Sequence, residues 1–448
     1  MENPTKTDSN DRGLRLVRKD LVAAEYSGAS NLMFNELVKQ WMKAGRKIYH
    51  FGFGQSPFPV IEVGVEALKQ HAGENAYLDV QGLPELRRSI CHFHEKYDDV
   101  IFDPDHVIVA PGSKELIFLL LNVFSGNVLI LSPSWTTYRP QAMLAGHTPI
   151  ILTAGPESEW RVTPELLEQT ILSNRLKGPC LLIMTNPCNP TGTAYTEQHL
   201  VALSAVLRKY DVIVLSDEIY ARLSYGGDHV TLAKVYPEGT ILSSGLSKWA
   251  SAGGWRLGYH IFPKELSALK ASVKSAASHT YSCAPAPVQY AAIKVFSDET
   301  ACDDYIRHTS RIMAAVGDFC CRELKSVGVK VVKSKAGYYI FPDFEVIREP
   351  LRRRGVTTCE EMCALLLAEA LVAVMAGGPS YLRPVEELTT RLCYVNFDGS
   401  DALAKSRTLG LDTSLPESFV FDHCTPVYNG IMALKSWVKD LQQAVNAS

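Results

Sequence analysis

Short, mostly apolar runs recur through the middle of the chain: Val107 to Ala110, Val128 to Leu131, Pro149 to Thr153, Leu181 to Thr185, Val212 to Ser216 and Thr240 to Ser243. Stretches of helical period, such as Glu115 to Val123 and Glu197 to Lys209, separate many of them. Runs of this length without polar alternation are strands buried on both faces. Their alternation with helices predicts an α/β architecture with a large, mostly parallel sheet. In such sheets ligands bind beyond the carboxyl ends of the strands, so the loops after these runs are the places to look for chemistry.

The flanks have a different texture. An amphipathic helix carries Leu32, Phe34, Leu37, Val38 and Trp41 on one face after a polar lead. The Gly- and Pro-punctuated stretch from Phe51 to Pro59 must be irregular, and Ile61 to His71 is helical again. Late in the chain, longer helical segments surround strands expected at Gly337 to Phe341 and Leu392 to Phe397. Leu403 to Tyr428, rich in Ser, Thr, Pro and Asp, reads as an inserted loop, and Gly430 to Val445 as a closing helix. The expected division is a large domain over 61–315 and a smaller α+β domain built from both ends, 14–60 plus 316–448.

A net charge of −3 gives no electrostatic case for nucleic acid or an anionic membrane. The triplet Arg352 to Arg354 reads as a solvated helix end. The longest apolar runs, Leu116 to Phe124 and Ala364 to Ala376, are shorter than a membrane span, and Glu369 interrupts the second. The 11 cysteines, scattered and without a CxxC pair, point to reduced thiols and a cytoplasmic setting. No metal is expected, and His92 and His94 read as surface residues of a polar helix.

The strand-end loops, taken in order, carry a constellation. After the first run come Gly112, Ser113 and Lys114, a small-residue turn opening a helix, which offers backbone N–H groups to a phosphate. After the second comes SPSWTTY, with Trp135 and Tyr138 at a strand end. After the fourth comes NPCNPTG, whose two Asn-Pro steps hold the Asn189 amide. After the fifth, Asp217 and Tyr220 lie in DEIY; a carboxylate there either caps a helix or needs a cationic partner. The last loop, GLSKWASAGGWRLGY, contains Ser247, Lys248 and, eight positions on, Arg256. Small and apolar neighbours would desolvate the Lys248 amine and favour its neutral, nucleophilic form, the form that makes Schiff bases. Arg256 would then be a fixed charge for a phosphate.

This lysine segment resembles the pyridoxal-phosphate segment of class I/II aminotransferases, SKxxxxxGxRxG, and the likeness extends over most of the chain. It is similar to the bacterial-type aspartate aminotransferases of fold type I. The resemblance implies pyridoxal 5'-phosphate bound covalently to Lys248, its ring nitrogen on Asp217, its phenolic oxygen near Asn189 and Tyr220, and its ring against Trp135. Gly112, Ser113, Lys114, Ser247 and Arg256 would surround the phosphate. Tyr77, in YLDVQGLPELR, and Ser282, in YSCAPAPVQYAA, would reach the cofactor of a neighbouring subunit, implying a homodimer with sites at the interface. Arg391 would clamp the substrate α-carboxylate, in preference to Arg383. Gly54 in the early loop would also meet substrate, and Lys114 would meet a distal carboxylate. The implied activity is ping-pong transfer of an amino group between an L-amino acid and a 2-oxo acid, with acidic substrates such as aspartate, glutamate and 2-oxoglutarate. Gln55 and Ser56 depart from the family's acidic-proline pair, and Gly253 stands where Thr or Pro is common. Two alternatives use the same residues or fold: a β/γ-lyase or cyclising synthase, and a non-catalytic ligand-sensing module.

Overall fold

The structure, a computed structural model, describes residue 18 and residues 30–446. The polar lead over 14–29, Arg18 apart, and the side chain of Leu32 lie outside the described residues. The strands in chain order are β1 (Tyr49–His50), β2 (Val107–Ala110), β3 (Asn127–Ser132), β4 (Ile150–Thr153), β5 (Cys180–Thr185), β6 (Val212–Asp217), β7 (Thr240–Gly245), β8 (Gly258–Ile261), β9 (Tyr339–Ile340), β10 (Val372–Ala373), β11 (Met375–Ala376) and β12 (Thr390–Cys393).

Seven strands form the central sheet in the order β2-β8-β7-β6-β5-β3-β4. Alternate residues of each strand enter different cores. Ile130, Ile183 and Leu215 pack on one face with the helix Ser113–Val123, while Leu129, Leu131, Leu182 and Val214 pack on the other. Burial on both faces removes any reason for polar alternation, and each such side chain contributes about 1.5–3 kcal/mol. The six expected strands are all present, within two residues at each end.

The expectation missed β8, which is antiparallel to both β7 and β2. Its sequence, GYHI, directly follows a glycine-rich loop, and its buried His260 breaks the apolar pattern. The consequence is functional: the segment from Leu246 to Leu257 joins two adjacent antiparallel strands, so it stays at the edge where the parallel strands end.

Two smaller sheets lie outside the central one. β1 pairs in parallel with β10, Tyr49 opposite Val372, so the early chain lies beside the late chain. The helix Ser30–Lys43 buries Val38 against Ile48 and Ala373 beside this pair. The other sheet is β11-β12-β9, antiparallel throughout. Here the strand expected at Leu392 to Phe397 begins earlier and ends at Cys393, which puts Arg391 inside it.

Residues 403–428 are not an inserted loop. The helix Gly399–Leu409 starts at Asp398, whose side chain accepts from the N–H groups of Ser400 and Asp401. Ser406 faces the long helix Glu299–Lys325, where its hydroxyl meets His308 Nδ1 at 2.8 Å and accepts from Arg311 Nε at 2.8 Å. A second helix spans Phe419–His423, and the closing helix already begins at Thr425. Polar residues there serve helix caps and helix contacts, which composition alone does not distinguish from a loop.

His94 is another correction. It is buried, with Nδ1 on Asp98 at 2.6 Å and Nε2 on the Tyr259 hydroxyl at 2.8 Å. Asp98 in turn pairs with Arg222, whose guanidinium holds that carboxyl well below its ordinary range despite burial. His92 is exposed beside Glu299, as expected of a surface residue. Among the described residues, no helix is long and apolar enough to cross a membrane.

Candidate active site

A cavity of about 560 Å³ opens beyond the carboxyl ends of the central strands, and most of the expected site residues line it. Asp217 is the last residue of β6, Lys248 follows the end of β7, and Asn189 follows the end of β5. Ser113 and Lys114 open the helix after β2. Arg256 reaches the same edge from the opposite chain direction, because it precedes the antiparallel β8. From the smaller sheet comes Arg391 on β12, and from the early loop Gly54.

Asp217 is 3% exposed. Its Oδ2 accepts from the Tyr138 hydroxyl at 2.6 Å, and its Oδ1 from the Ile219 N–H at 3.3 Å. Burial pushes its pKa up to about 6, although these donors pull the other way. Lys248 donates to the Gly54 carbonyl at 2.8 Å. Burial brings its pKa down to about 8, and the Arg391 charge adds to the effect. An acid with a raised pKa and an amine with a lowered one, in one cleft, are a functional-site signature with a physical cause.

One corner of the cavity is made from backbone and guanidinium. Gly112 precedes the helix with φ of +95° and leaves that terminus without a side-chain cap. A Cβ at Gly112 would collide with the Arg256 guanidinium, so glycine admits that charge next to the Ser113 and Lys114 N–H groups that open the helix. Gly112 shapes this corner without lining the cavity. Ser247 lines the cavity next to Lys248. Trp135 is half-buried, with the Lys114 Nζ 4.9 Å from its ring centroid. Burial and the Arg256 charge lower the Lys114 pKa.

Arg391 is 1% exposed; it donates to the Gly52 carbonyl, and its Nε has no partner among the described residues. Arg383 is spent elsewhere, with two nitrogens on Glu387 at 2.8 and 2.7 Å. Tyr220 is buried, its hydroxyl 2.9 Å from that of Tyr339. Tyr77, at 90% exposure, and Ser282, also exposed, lie outside this cavity. They are close to each other, since the Leu78 N–H meets Cys283 Sγ at 3.5 Å.

The sequence reading missed Tyr138 as the partner of Asp217, and Tyr339. For Tyr138 a signal existed, a hydroxyl one turn after Trp135 at a strand end. For Tyr339 none existed, because β9 belongs to a different sheet.

The residues fit pyridoxal 5'-phosphate. A buried carboxylate and a phosphate corner lie in one cavity with the lysine and an aromatic face. The buried Asn189 Oδ1, like Arg391 Nε, has no protein partner; since the two ends of an amide exchange by rotation, Asn189 is free to present a donor.

Fold and cavity together define an enzyme of the Schiff-base-forming α/β type. The family model for class I and II aminotransferases matches residues 36–405. The aspartate aminotransferase of Geobacillus stearothermophilus is 31% identical over 367 residues, 79% of this chain and 90% of that protein. An aspartate/prephenate aminotransferase of Cereibacter sphaeroides is 31% identical over 360 residues, 78% and 88% of the two chains. The solved structure of the Thermus thermophilus aspartate aminotransferase with maleate superposes with a TM-score of 0.75 at 25% identity, covering 87% of this chain and 97% of that one. The chain belongs to the class I and II aminotransferases and is a pyridoxal-phosphate-dependent enzyme.

Proposed function

We propose that this aminotransferase takes acidic substrates, moving an amino group between an L-amino acid with a side-chain carboxylate and a 2-oxo acid. The observation that carries the proposal is the charge of the cavity. Among the described residues, Lys114, Lys248, Arg256 and Arg391 line it, against Asp217 as the one lining carboxylate. A phosphate accounts for Arg256, the cofactor tether for Lys248 and an α-carboxylate for Arg391. Lys114 is left over, with no carboxylate partner among the described residues, only the Trp135 ring. A partly buried cation without a counter-ion is costly, and a second substrate carboxylate removes that cost.

When bound, pyridoxal 5'-phosphate supplies an aldehyde for the Lys248 amine and a ring that draws electron density from the substrate Cα. Asp217, ionised at neutral pH with its pKa near 6, gives a negative charge to a protonated ring nitrogen. Tyr220 and Asn189 offer donors to the phenolic oxygen, and Trp135 offers a flat face. Ser113, Ser247, Arg256 and the helix N–H groups bind the phosphate. Arg391 presents a planar fork that orients the α-carboxylate. Lys248, with its pKa near 8, holds both protonation states near neutrality and so moves the Cα proton as base and then acid.

The enzyme is read as a homodimer, because the exposed Tyr77 and Ser282 adjoin each other outside their own cavity, free to complete a neighbour's. In the expected division into 61–315 and 14–60 plus 316–448, the building of the smaller domain from both chain ends is supported by the β1–β10 pairing, while the helix Glu299–Lys325 runs unbroken through the 315/316 boundary. The 11 free cysteines, most of them buried, support a cytoplasmic setting.

Single half-reactions test the substrate reading. Each amino acid is mixed with enzyme without an oxo acid, and loss of the visible cofactor band is followed. Aspartate or glutamate should give the highest kcat/KM, and 2-oxoglutarate should restore the band. Neutral amino acids reacting as well as acidic ones would refute it. Lys248→Ala should lose both the band and turnover; a variant keeping both would overturn the lysine's role.

A further inference from the structure

Tyr339 stands where three parts of the site meet. It lies on β9 and lines the cavity from the smaller sheet. Its hydroxyl is 2.9 Å from the Tyr220 hydroxyl, with the two rings edge to face at 5.5 Å. The Arg391 guanidinium lies 5.1 Å from its ring centroid. A Cβ at Gly54 would land on its hydroxyl, so the carbonyl-bearing residue that receives Lys248 abuts it as well.

The hydroxyl contact has a direction once Tyr220 is engaged. A phenol has one proton to donate. If Tyr220 gives its proton to the cofactor oxygen, the proton in the 2.9 Å contact must come from Tyr339. Donation into the Tyr220 oxygen polarises its O–H bond and strengthens the next link. The ring does something separate, presenting a π face to Arg391 and limiting where the guanidinium can sit.

We infer that Tyr339 is a positioning residue with two separable roles: its hydroxyl strengthens Tyr220 as a donor to the cofactor, and its ring fixes the Arg391 fork that receives the substrate carboxylate. The inference rests on the assignment of Tyr220 and Arg391 given above.

Tyr339→Phe keeps the ring and removes the hydroxyl. KM for amino acid and oxo acid should stay within about 2-fold of wild type, the contact to Arg391 being unchanged. The pH midpoint of the visible band should rise by about half a unit or more. The sign follows because a donor to the phenolic oxygen favours the form that has lost its proton and carries more negative charge there. Tyr339→Leu also removes the ring, and both KM values should rise about 10-fold. The double variant Tyr220→Phe/Tyr339→Phe should show the midpoint of Tyr220→Phe alone.

An unchanged midpoint in Tyr339→Phe, with Tyr220→Phe shifted, overturns the hydroxyl role. So does the same added shift from Tyr339→Phe in both backgrounds, which would mean Tyr339 acts without Tyr220. If Tyr220→Phe itself leaves the midpoint unmoved, the Tyr220 assignment is wrong and the hydroxyl role falls with it. Should Tyr339→Leu not fold, Tyr339→Val and Tyr339→Met probe the ring; KM unchanged in a folded ring-less variant overturns that role.

Discussion

Replacing Lys248 by methionine should make the cofactor-free protein more stable at neutral pH while abolishing turnover. Folding carries the ammonium from water into a cavity wall where burial lowers its pKa from 10.5 to about 8. At about 1.4 kcal/mol per pH unit, that change corresponds to roughly 3 kcal/mol against the charged form. Some of the side chain still faces the cavity, Asp217 loses an attracting charge and the Gly54 carbonyl loses a donor when the lysine goes, so about 1–2 kcal/mol is the expected net gain. Methionine is unbranched, similar in length and uncharged, which keeps the packing term small. The pH dependence fixes the cause. Below pH 8 both folded and unfolded wild type carry the proton, and the folded state bears the full cost. Between pH 8 and 10.5 the folded state has shed it while the unfolded chain has not, so wild-type stability climbs with pH. The assay is the unfolding midpoint of the two cofactor-free proteins from pH 6.5 to 10. The variant's advantage should be constant up to about pH 8 and shrink above it. A variant no more stable than wild type at pH 7, or an advantage that does not shrink, would refute the argument that this amine is held under desolvation.

Cofactor affinity should weaken as pH falls through about 6, because the Asp217 carboxylate, proposed above as the partner of the ring nitrogen, becomes protonated there; equilibrium binding to the cofactor-free protein from pH 5 to 8 checks this, and Asp217→Asn should remove the break. Arg391→Lys should raise KM for amino acid and oxo acid together by about 10-fold or more, since a point charge does not replace a bidentate fork; steady-state kinetics on both half-reactions read it. Lys114→Met should lower kcat/KM for acidic amino acids by about 10-fold and leave neutral ones within about 2-fold, the loss of one charge-assisted contact; the same half-reaction panel measures the ratio.

The parts of this molecule that were legible in its sequence are those where local pattern and three-dimensional role coincide. Strands β2, β3, β5, β6 and β7 are buried on both faces, so their apolar character survives whatever packs on them, and the edge strand β4 keeps an apolar run although Thr153 is exposed. Asp217, Asn189, Lys248 and Ser113 sit at ends of those strands, so reading the loops in order already gathers them. What was hidden depends on partners distant in sequence. β8 is recognisable only as the antiparallel neighbour of β2 and β7. His94 is polar by identity and buried because Asp98 and Tyr259 satisfy both ring nitrogens. The helix Gly399–Leu409 spends its Ser406 on His308 and Arg311, contacts that composition reads as loop polarity. Tyr339 enters the site from another sheet altogether.

Among the described residues, the cavity holds four cationic side chains against one carboxylate, and the contacts that position them leave their charge in place. Each charge is held by backbone carbonyls or aromatic rings: Arg256 by the Gly253 and Pro111 carbonyls, Arg391 by the Gly52 carbonyl and two tyrosine rings, Lys248 by the Gly54 carbonyl and Lys114 by the Trp135 ring. None of these anchors is a carboxylate, so each holds position without neutralising charge. The positive field therefore remains available for anions from solution. A salt bridge at any one of these positions would make the ligand-free protein more stable and would weaken the anion binding that the cavity offers. The same reasoning requires that phosphate-bearing cofactor and dicarboxylate substrate each raise the protein's unfolding midpoint, because each removes a cost that the empty cavity retains.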